Sequence, residues 1–362
     1  MDSLYTLIGL NLSKLSVFTY NKFIFSIHDA IDNTTMTDRS SQNTTYRLLQ
    51  FISRQPIQIS RFIARGLAGL VNALKISKTS ETIRLNLNIA LPELSDAERE
   101  KITAQAIRNE LISYFEFFSI WGSSNEANLA RIHKVHGKQL LLDALAANKG
   151  VVLIVPHFGT WEIMNAYIAQ FTKMTIMYKP VKNEAADLFV RNARSREQAT
   201  LVPTDESGVR QIFKALKQGG TTVILPDHTP NVGGEMIPYF GLPLATSNLS
   251  AKLIQKTKAK TLFLYALRNE DQGFDLYFEA IDERIYSVDT NQGTGIIFQA
   301  IENLIRRYPE HYHWSYKRFK ASPELDALYY LNKTEALALV AKVRAEAAAQ
   351  NPAIPVENEQ VI

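Results

Sequence analysis

The chain has 362 residues, 46% of them hydrophobic and 21% charged, a globular composition with length enough for one large core or two ordinary ones. The absence of cysteine excludes disulfides, thiolate zinc sites and cysteine nucleophiles, and says nothing about compartment. A net charge of +4 and a pI near 9.0 are mild, but the positive charge is unevenly placed.

Residues 1–45 read as an N-terminal extension, with Met36 as an alternative start of the native chain. The first 26 residues are apolar in patches broken by Lys14 and Lys22. They lack a basic leader and a small-residue cleavage site, so no signal peptide is expected. From Arg39 to Ser80 there is no Asp or Glu, while Arg39, Arg47, Arg54, Arg61, Arg65, Lys75 and Lys78 are interleaved with Leu48, Leu49, Phe51, Ile52, Ile57, Ile59, Phe62, Ile63, Leu67, Leu70 and Val71. A basic amphipathic segment of this kind fits either the surface of an anionic membrane or a helix packed on its own domain. No stretch reaches the ~18 to 20 uninterrupted apolar residues of a spanning helix.

Residues 95–120 predict a long helix, with Ser95 as N-cap, acids in its first turn, and Tyr114, Phe115, Phe117 and Phe118 near its end. The pattern then alternates. A helix over 138–147 leads through Gly150 to a strand over 151–155, followed by a helix from 160 to 171. Next come a strand over 174–178, a helix over 183–197, a short strand near 200–203 and a helix over 206–217. Gly219 and Gly220 end that helix before the buried strand of TTVILPD. A helix over 247–257 precedes strands over 261–267 and 274–280, close enough to form an antiparallel edge, and then a helix over 290–307. Strands that are continuous apolar runs, separated by amphipathic helices, predict an α/β fold with its sheet covered on both faces. Beyond residue 325, an Ala-rich helix over 334–349 and the tail NPAIPVENEQVI look peripheral.

In an open α/β sheet, functional groups gather beyond the carboxyl ends of the strands. His157 ends the strand VVLIV, and Gly159 and Thr160 turn the chain so that Glu162 falls at a helix start. Each has a plain structural reading. A helix dipole favours a carboxylate there by ~0.3 to 1 kcal/mol, and a strand-end histidine can cap a backbone carbonyl. As chemistry, the pair reads as base and orienter: a carboxylate on one ring nitrogen fixes the tautomer and leaves the other to take a proton. With no cysteine and no G-x-S-x-G elbow, such a base would activate the acceptor's own hydroxyl toward a donor that arrives already activated. There is no P-loop, no H-E-x-x-H and no full G-x-G-x-x-G. His311 and His313 in PEHYHW have the pattern of structural or surface histidines, so neither metal nor cofactor is expected. Nor is nucleic acid, since no stacking platform or groove-reading motif accompanies the basic stretch.

These blocks together resemble a known family. HFGTWE (157–162) matches the H-x4-D/E box of the lysophospholipid-acyltransferase-like superfamily, and its surroundings are similar to the late acyltransferases of lipid A biosynthesis. YKPVKNEAADLFVRNARSR resembles that family's second block, LPDHTP its Asp-Gln or Asp-His block, and GGEMIPYFGLPLATSNLSAKLIQKTKAKT the long block after it. PEHYHWSYKRFK is similar to the closing Trp/Arg/Phe/Lys signature, and RLNLNIALPELSDAEREKI to an upstream segment. The resemblance runs in order over residues 46–322.

The resemblance implies a mixed, mostly parallel central sheet flanked by helices, similar to glycerol-phosphate acyltransferases. That domain would cover 46–325, with membrane-associating N-terminal helices, and leave 326–362 as a C-terminal helix and tail. The implied reaction moves an acyl chain from acyl carrier protein to a hydroxyl of a lipid A precursor, at the cytoplasmic face of the inner membrane, without a cofactor. Carried over by position, His157 is the general base and Glu162 its partner. Arg194, beside Arg191 and Arg196, matches the arginine of the second block and helps to hold the site or a phosphate. Asp227 orients a substrate or caps the next turn. Tyr178, Lys179, Arg318 and Lys320 are substrate contacts by the same resemblance, the last two toward phosphates, and Trp314 and Phe319 pack on the acyl channel or the core. The family usually begins with a hydrophobic anchor, whereas this chain is basic and broken there. Two other readings stand beside this one: the same chemistry on a glycerolipid or phosphoinositide mannoside, and a non-catalytic lipid-binding or membrane-tethering protein whose His157 is structural.

Overall fold

The computed structural model describes residues 39–350, apart from 75–76, 231–232 and 270. The expectations for Met36 and for the tail from 351 fall outside the described residues. Four helices open the described chain: α1 (Arg39–Ser53), α2 (Ile57–Leu74), α3 (Lys78–Ala90) and α4 (Asp96–Gly122). α4 starts where expected, because Ser95 accepts from the Glu98 backbone while the Glu98 side chain returns to the Ser95 backbone.

α2 turns its large apolar residues outward. Its buried face consists of Ile57, Ser60, Arg61, Ala64 and Ala68, while Ile59, Phe62, Ile63, Leu70 and Leu74 are exposed, Phe62 at 75%. Leu48 and Phe51 of α1 are exposed as well. The small residues let α2 lie close to α4, and Arg61 is drawn inward by the buried Glu116. The segment therefore packs on its own domain through its small residues and Arg61, and leaves most of its large apolar residues facing outward. Among the described residues no helix is long and apolar enough to cross a membrane.

The alternating part follows as α5 (Asn125–Leu129), β1 (Ile132–His136), α6 (Lys138–Ala146), β2 (Val151–Ile154) and α7 (Ile163–Ile168). It continues through β3 (Thr175–Met177), α8 (Glu184–Arg196), β4 (Thr200–Val202), α9 (Glu206–Lys217) and β5 (Thr221–Ile224). Then come β6 (Glu235–Tyr239), β7 (Leu242–Thr246), α10 (Leu249–Thr257), β8 (Lys260–Asn269), β9 (Gly273–Ala280), α11 (Thr290–Arg307) and α12 (Lys333–Gln350).

The main sheet has the order β1-β9-β8-β2-β5. β2 runs parallel to both β5 and β8, β8 pairs antiparallel with β9, and β1 runs parallel to β9, so the sheet is mixed and mostly parallel. β9 is not the edge that its closeness to β8 suggested, because β1 covers it. The sequence IHKVH hides that strand, since only Ile132 and Val135 are even half-buried. β3 and β4 form a separate parallel pair, joined to β5 by a bridge between Met174 and Thr221. β6 and β7 form a hairpin that turns at Phe240 and Gly241, both in the left-handed region that two-residue hairpin turns require.

Strand alternation divides the core. Val151, Leu153 and Val155 face one side with Leu262, Leu264, Phe274 and Leu276. Val152 and Ile154 face the other with Phe263 and Tyr265, where α3, α4, α10 and α11 pack. At ~1.5 to 3 kcal/mol per buried aliphatic or aromatic side chain, these two layers dominate stability. α12 is not peripheral as expected: Ala336, Val340 and Val343 lie in the same core. Arg344 donates to the carbonyls of Ile89 and Phe240, both at 2.9 Å.

Candidate active site

β2 and β5 are adjacent parallel strands, and each carries one polar residue just beyond its carboxyl end: His157 and Asp227. Nδ1 of His157 lies 2.8 Å from Oδ1 of Asp227, and the His157 backbone nitrogen donates to Oδ2 at 3.0 Å. Tyr312 donates its hydroxyl to Oδ2 at 3.1 Å. Asp227 is wholly buried. Burial alone would raise its pKa, but His157 and its hydrogen bonds outweigh that and hold it well below the usual carboxylate range. An ionised Asp227 accepts from Nδ1–H, which leaves the lone pair of His157 on Nε2.

The loop after His157 is fixed from several sides. Gly159 adopts a φ of 55°, and a Cβ there would meet the carbonyl oxygen of Ala266 at 2.5 Å, so only glycine fits. The PEHYHW segment runs alongside. Gly159 donates to the His311 carbonyl at 2.8 Å, and the His313 backbone donates to the His157 carbonyl at 3.2 Å. Nε2 of His313 lies 3.0 Å from the Gly159 carbonyl. Burial pushes both His311 and His313 down to about 3, which keeps them neutral. Behind the loop, Thr160 donates to the buried Glu116 at 2.5 Å, and Glu116 also accepts from Arg61 at 2.6 Å and from Arg268 at 2.9 Å. Burial would raise Glu116, but the two guanidinium groups outweigh it and lower its pKa.

Glu162 is not the partner of His157, and that expectation is corrected. Its carboxylate accepts from Arg194 at 2.8 Å, from the indole of Trp121 at 2.8 Å and from the indole of Trp161 at 3.1 Å. The turn through Gly159 and Thr160 carries it toward α8 and α4, whereas Asp227 reaches His157 directly from the neighbouring strand. Arg194 is the arginine of its trio that faces this site, and it also holds Glu197 at 3.2 Å. Burial raises the Glu197 carboxyl to about 7, with Arg194 opposing. Arg191 pairs instead with Asp187 at 2.9 Å, and Arg196 donates to the Trp121 carbonyl.

His157, Trp161, Glu162 and Arg194 line a cavity of about 270 Å³ whose other walls include Ile168, Ile176, Met177 and Leu225. A polar end and apolar walls in one cavity suit a ligand with a reactive group and a hydrocarbon tail. Tyr178 and Lys179 stand at the end of β3, past this cavity. The Tyr178 hydroxyl donates to Asp187 at 2.7 Å with Arg191 over its ring, and Lys179 is exposed. Arg318 does not reach out to phosphates. It is 2% exposed, donates to the Ala245 carbonyl at 3.1 Å and to Thr246 at 2.6 Å, and burial lowers its pKa. Trp314 and Phe319 are core residues, and Lys320 is exposed.

Sequence reasoning missed Trp121, Tyr312, His228 and Tyr316. His228 follows Asp227 directly, so its adjacency was visible. Its ring stacks on His157 with centroids 3.6 Å apart, and nothing in the sequence signals that contact. Trp121 lies 41 positions from Glu162, beyond any local pattern.

Comparison with known proteins covers the same part of the chain. Residues 43–321 match the family model described as bacterial lipid A biosynthesis acyltransferase. The chain is 27% identical over 257 residues to the lipid A biosynthesis palmitoleoyltransferase of Escherichia coli (strain K12), covering 70% of this chain and 83% of that protein. It is 26% identical over 276 residues to a lipid A biosynthesis acyltransferase of Haemophilus influenzae, covering 74% and 86%. With the lipid A biosynthesis lauroyltransferase of Escherichia coli (strain K12) it shares 23% identity over 281 residues, covering 76% and 90%.

Proposed function

The chain belongs to the bacterial lipid A biosynthesis acyltransferase family and is an acyltransferase, and from that premise we propose that it moves a fatty acyl chain from acyl carrier protein to a hydroxyl of a lipid A precursor, with His157 as general base. The observation that carries this reading is the pairing of His157 with Asp227 at the polar end of an apolar-walled cavity.

The acceptor hydroxyl approaches Nε2 of His157. As its oxygen attacks the thioester carbonyl carbon, the proton passes to Nε2 and Asp227 stabilises the imidazolium. The tetrahedral intermediate then collapses: the new C–O ester bond stays, the C–S bond breaks, and His157 returns the proton to the departing thiol. Base catalysis of this kind contributes ~10²- to 10⁴-fold. Glu162, tied to Arg194 and two indoles, acts as the fixed polar wall beside the reacting centre and not as the orienter of the base.

The exposed apolar residues of α1 and α2 support work at a membrane surface, the cytoplasmic face of the inner membrane. Phe51, Phe62 and Leu70 would enter the headgroup boundary, and Arg47 and Arg54 would meet anionic lipid. α1 rests on α8 through Tyr46, which packs edge-on against Phe189 at 6.2 Å and accepts from Asn192 at 2.9 Å. α8 is the helix that brings Arg194 to the cavity, so a lipid acceptor has a short path from bilayer to base.

The donor is tested by presenting dodecanoyl acyl carrier protein and dodecanoyl coenzyme A in separate reactions with lipid A precursor. Faster transfer from the carrier protein at equal concentration is expected. Equal or faster transfer from coenzyme A would remove acyl carrier protein from the reading.

A further inference from the structure

We propose that His228 is a positioning residue for the transfer reaction, its ring face holding the His157 imidazole in place and stabilising it once it carries a proton. This rests on the reading of His157 as the base. The two rings are 3° from parallel with centroids 3.6 Å apart. Tyr316 covers the far face of His228 at 3.9 Å and 16°, and the Tyr316 hydroxyl accepts from the Thr229 backbone at 3.1 Å. The three rings thus form one stack tied to the backbone at its outer end. Trp161 closes a further side of His157, edge-on at 5.0 Å.

His228 is met on its two ring faces, by His157 on one side and Tyr316 on the other. The division of labour with Asp227 follows. The carboxylate meets the edge of the His157 ring at Nδ1 and fixes its tautomer, but a single edge contact leaves the ring free to tilt. His228, the next residue of the same loop, removes that freedom from the flat side. When Nε2 takes the proton, the imidazolium also lies against a neutral aromatic face, an arrangement that favours the cation. Around His228 the charged and titratable groups are Asp227, His157, Arg318 and Tyr316. Burial, then the charge that His157 carries once protonated, pushes His228 down to about 3, so it does not compete for the proton.

The test compares H228A, H228L and H228F with wild type, under steady-state conditions with varied acceptor and donor. Leucine fills the space without an aromatic face, and phenylalanine restores the face without a titratable group. For H228A and H228L, kcat falls about tenfold with both KM values within about twofold, and H228F recovers most of that loss. Leucine restoring kcat as well as phenylalanine would overturn the proposal, as would a loss confined to KM or no loss at all. If alanine prevents folding, the two larger side chains still decide. A wild-type protein that transfers no acyl group would sink the functional reading itself, and NMR then judges the stack without substrate. The ring protons of His157 lie upfield in wild type through the ring current of His228, and move downfield in H228L. Unchanged positions would overturn the stack.

Discussion

Asp227 holds His157 twice, by ring and by backbone, with Oδ1 at 2.8 Å from Nδ1 and Oδ2 at 3.0 Å from the main-chain nitrogen. Glu162, five residues from His157, holds Arg194 at 2.8 Å instead. The two carboxylates therefore do different work, and their neutral analogues separate it. Asp227→Asn loses ~10²- to 10⁴-fold in kcat with little change in KM, because the tautomer and the imidazolium lose their support. Glu162→Gln instead lowers the unfolding free energy, by about 3 kcal/mol or more, because it leaves the buried Arg194 with Glu197 alone. Kinetics and denaturant unfolding of both variants check this. The reverse assignment, with the larger kinetic loss at Glu162, would restore the sequence-based pairing.

Most of the fold was legible in the sequence, since buried strands such as VVLI and capped helices such as the one after Ser95 announce themselves through local rules. What stayed hidden was pairing across distance. β1 looks too polar to be a strand, and it exists because β9 offers it a parallel partner. The hairpin turn at Phe240 was hidden because a phenylalanine with positive φ is rare outside such turns. At the site, the spacing of His157 and Glu162 suggested a pairing that the geometry does not show. Sequence distance favoured the residue five positions away, while strand adjacency favoured the one 70 positions away. Arg318 read as a phosphate ligand by resemblance to the family's closing signature, yet the carbonyl of Ala245 and the rings of Tyr239 and Phe298 accommodate it inside.

Thr160 links the loop after His157 to the buried Glu116 through a 2.5 Å hydrogen bond. Thr160→Val keeps the shape and removes the donor, at a cost of roughly 1 to 3 kcal/mol. A lower urea midpoint with an unchanged slope, together with reduced kcat, is expected. An unchanged midpoint would show that the two guanidinium groups suffice for Glu116.

Glu110 gives the protein a pH dependence. It is 1% exposed, and burial pushes its carboxyl up to about 7 against hydrogen bonds from Ser315 and Tyr114. The folded state keeps a proton that the unfolded chain releases near 4.5, so stability falls as pH rises from there to about 7. Glu110→Gln removes that titration. It should be more stable than wild type above about pH 8, by no more than about 3 kcal/mol, with the difference gone below about pH 4. Chemical unfolding across that range measures it, and a pH-independent difference would exclude Glu110 as the source.

Replacing Phe51 and Phe62 together by Asp removes two exposed aromatic side chains from the outer face of α1 and α2. At ~1.5 to 3 kcal/mol for each buried phenylalanine, binding to anionic vesicles should fall more than tenfold. Thermal stability should hold, since neither residue packs inside. Vesicle flotation with anionic and with zwitterionic lipid tests this. Undiminished binding to the anionic vesicles would move the membrane contact elsewhere.

The most direct measurement is mass spectrometry of lipid A precursor after incubation with dodecanoyl acyl carrier protein, with wild type and His157→Ala run side by side. The expected result is a gain of one acyl mass with wild type and none with the variant. A gain of equal size and rate with both would contradict base catalysis by His157 and leave the Asp227 pairing a structural feature of the loop.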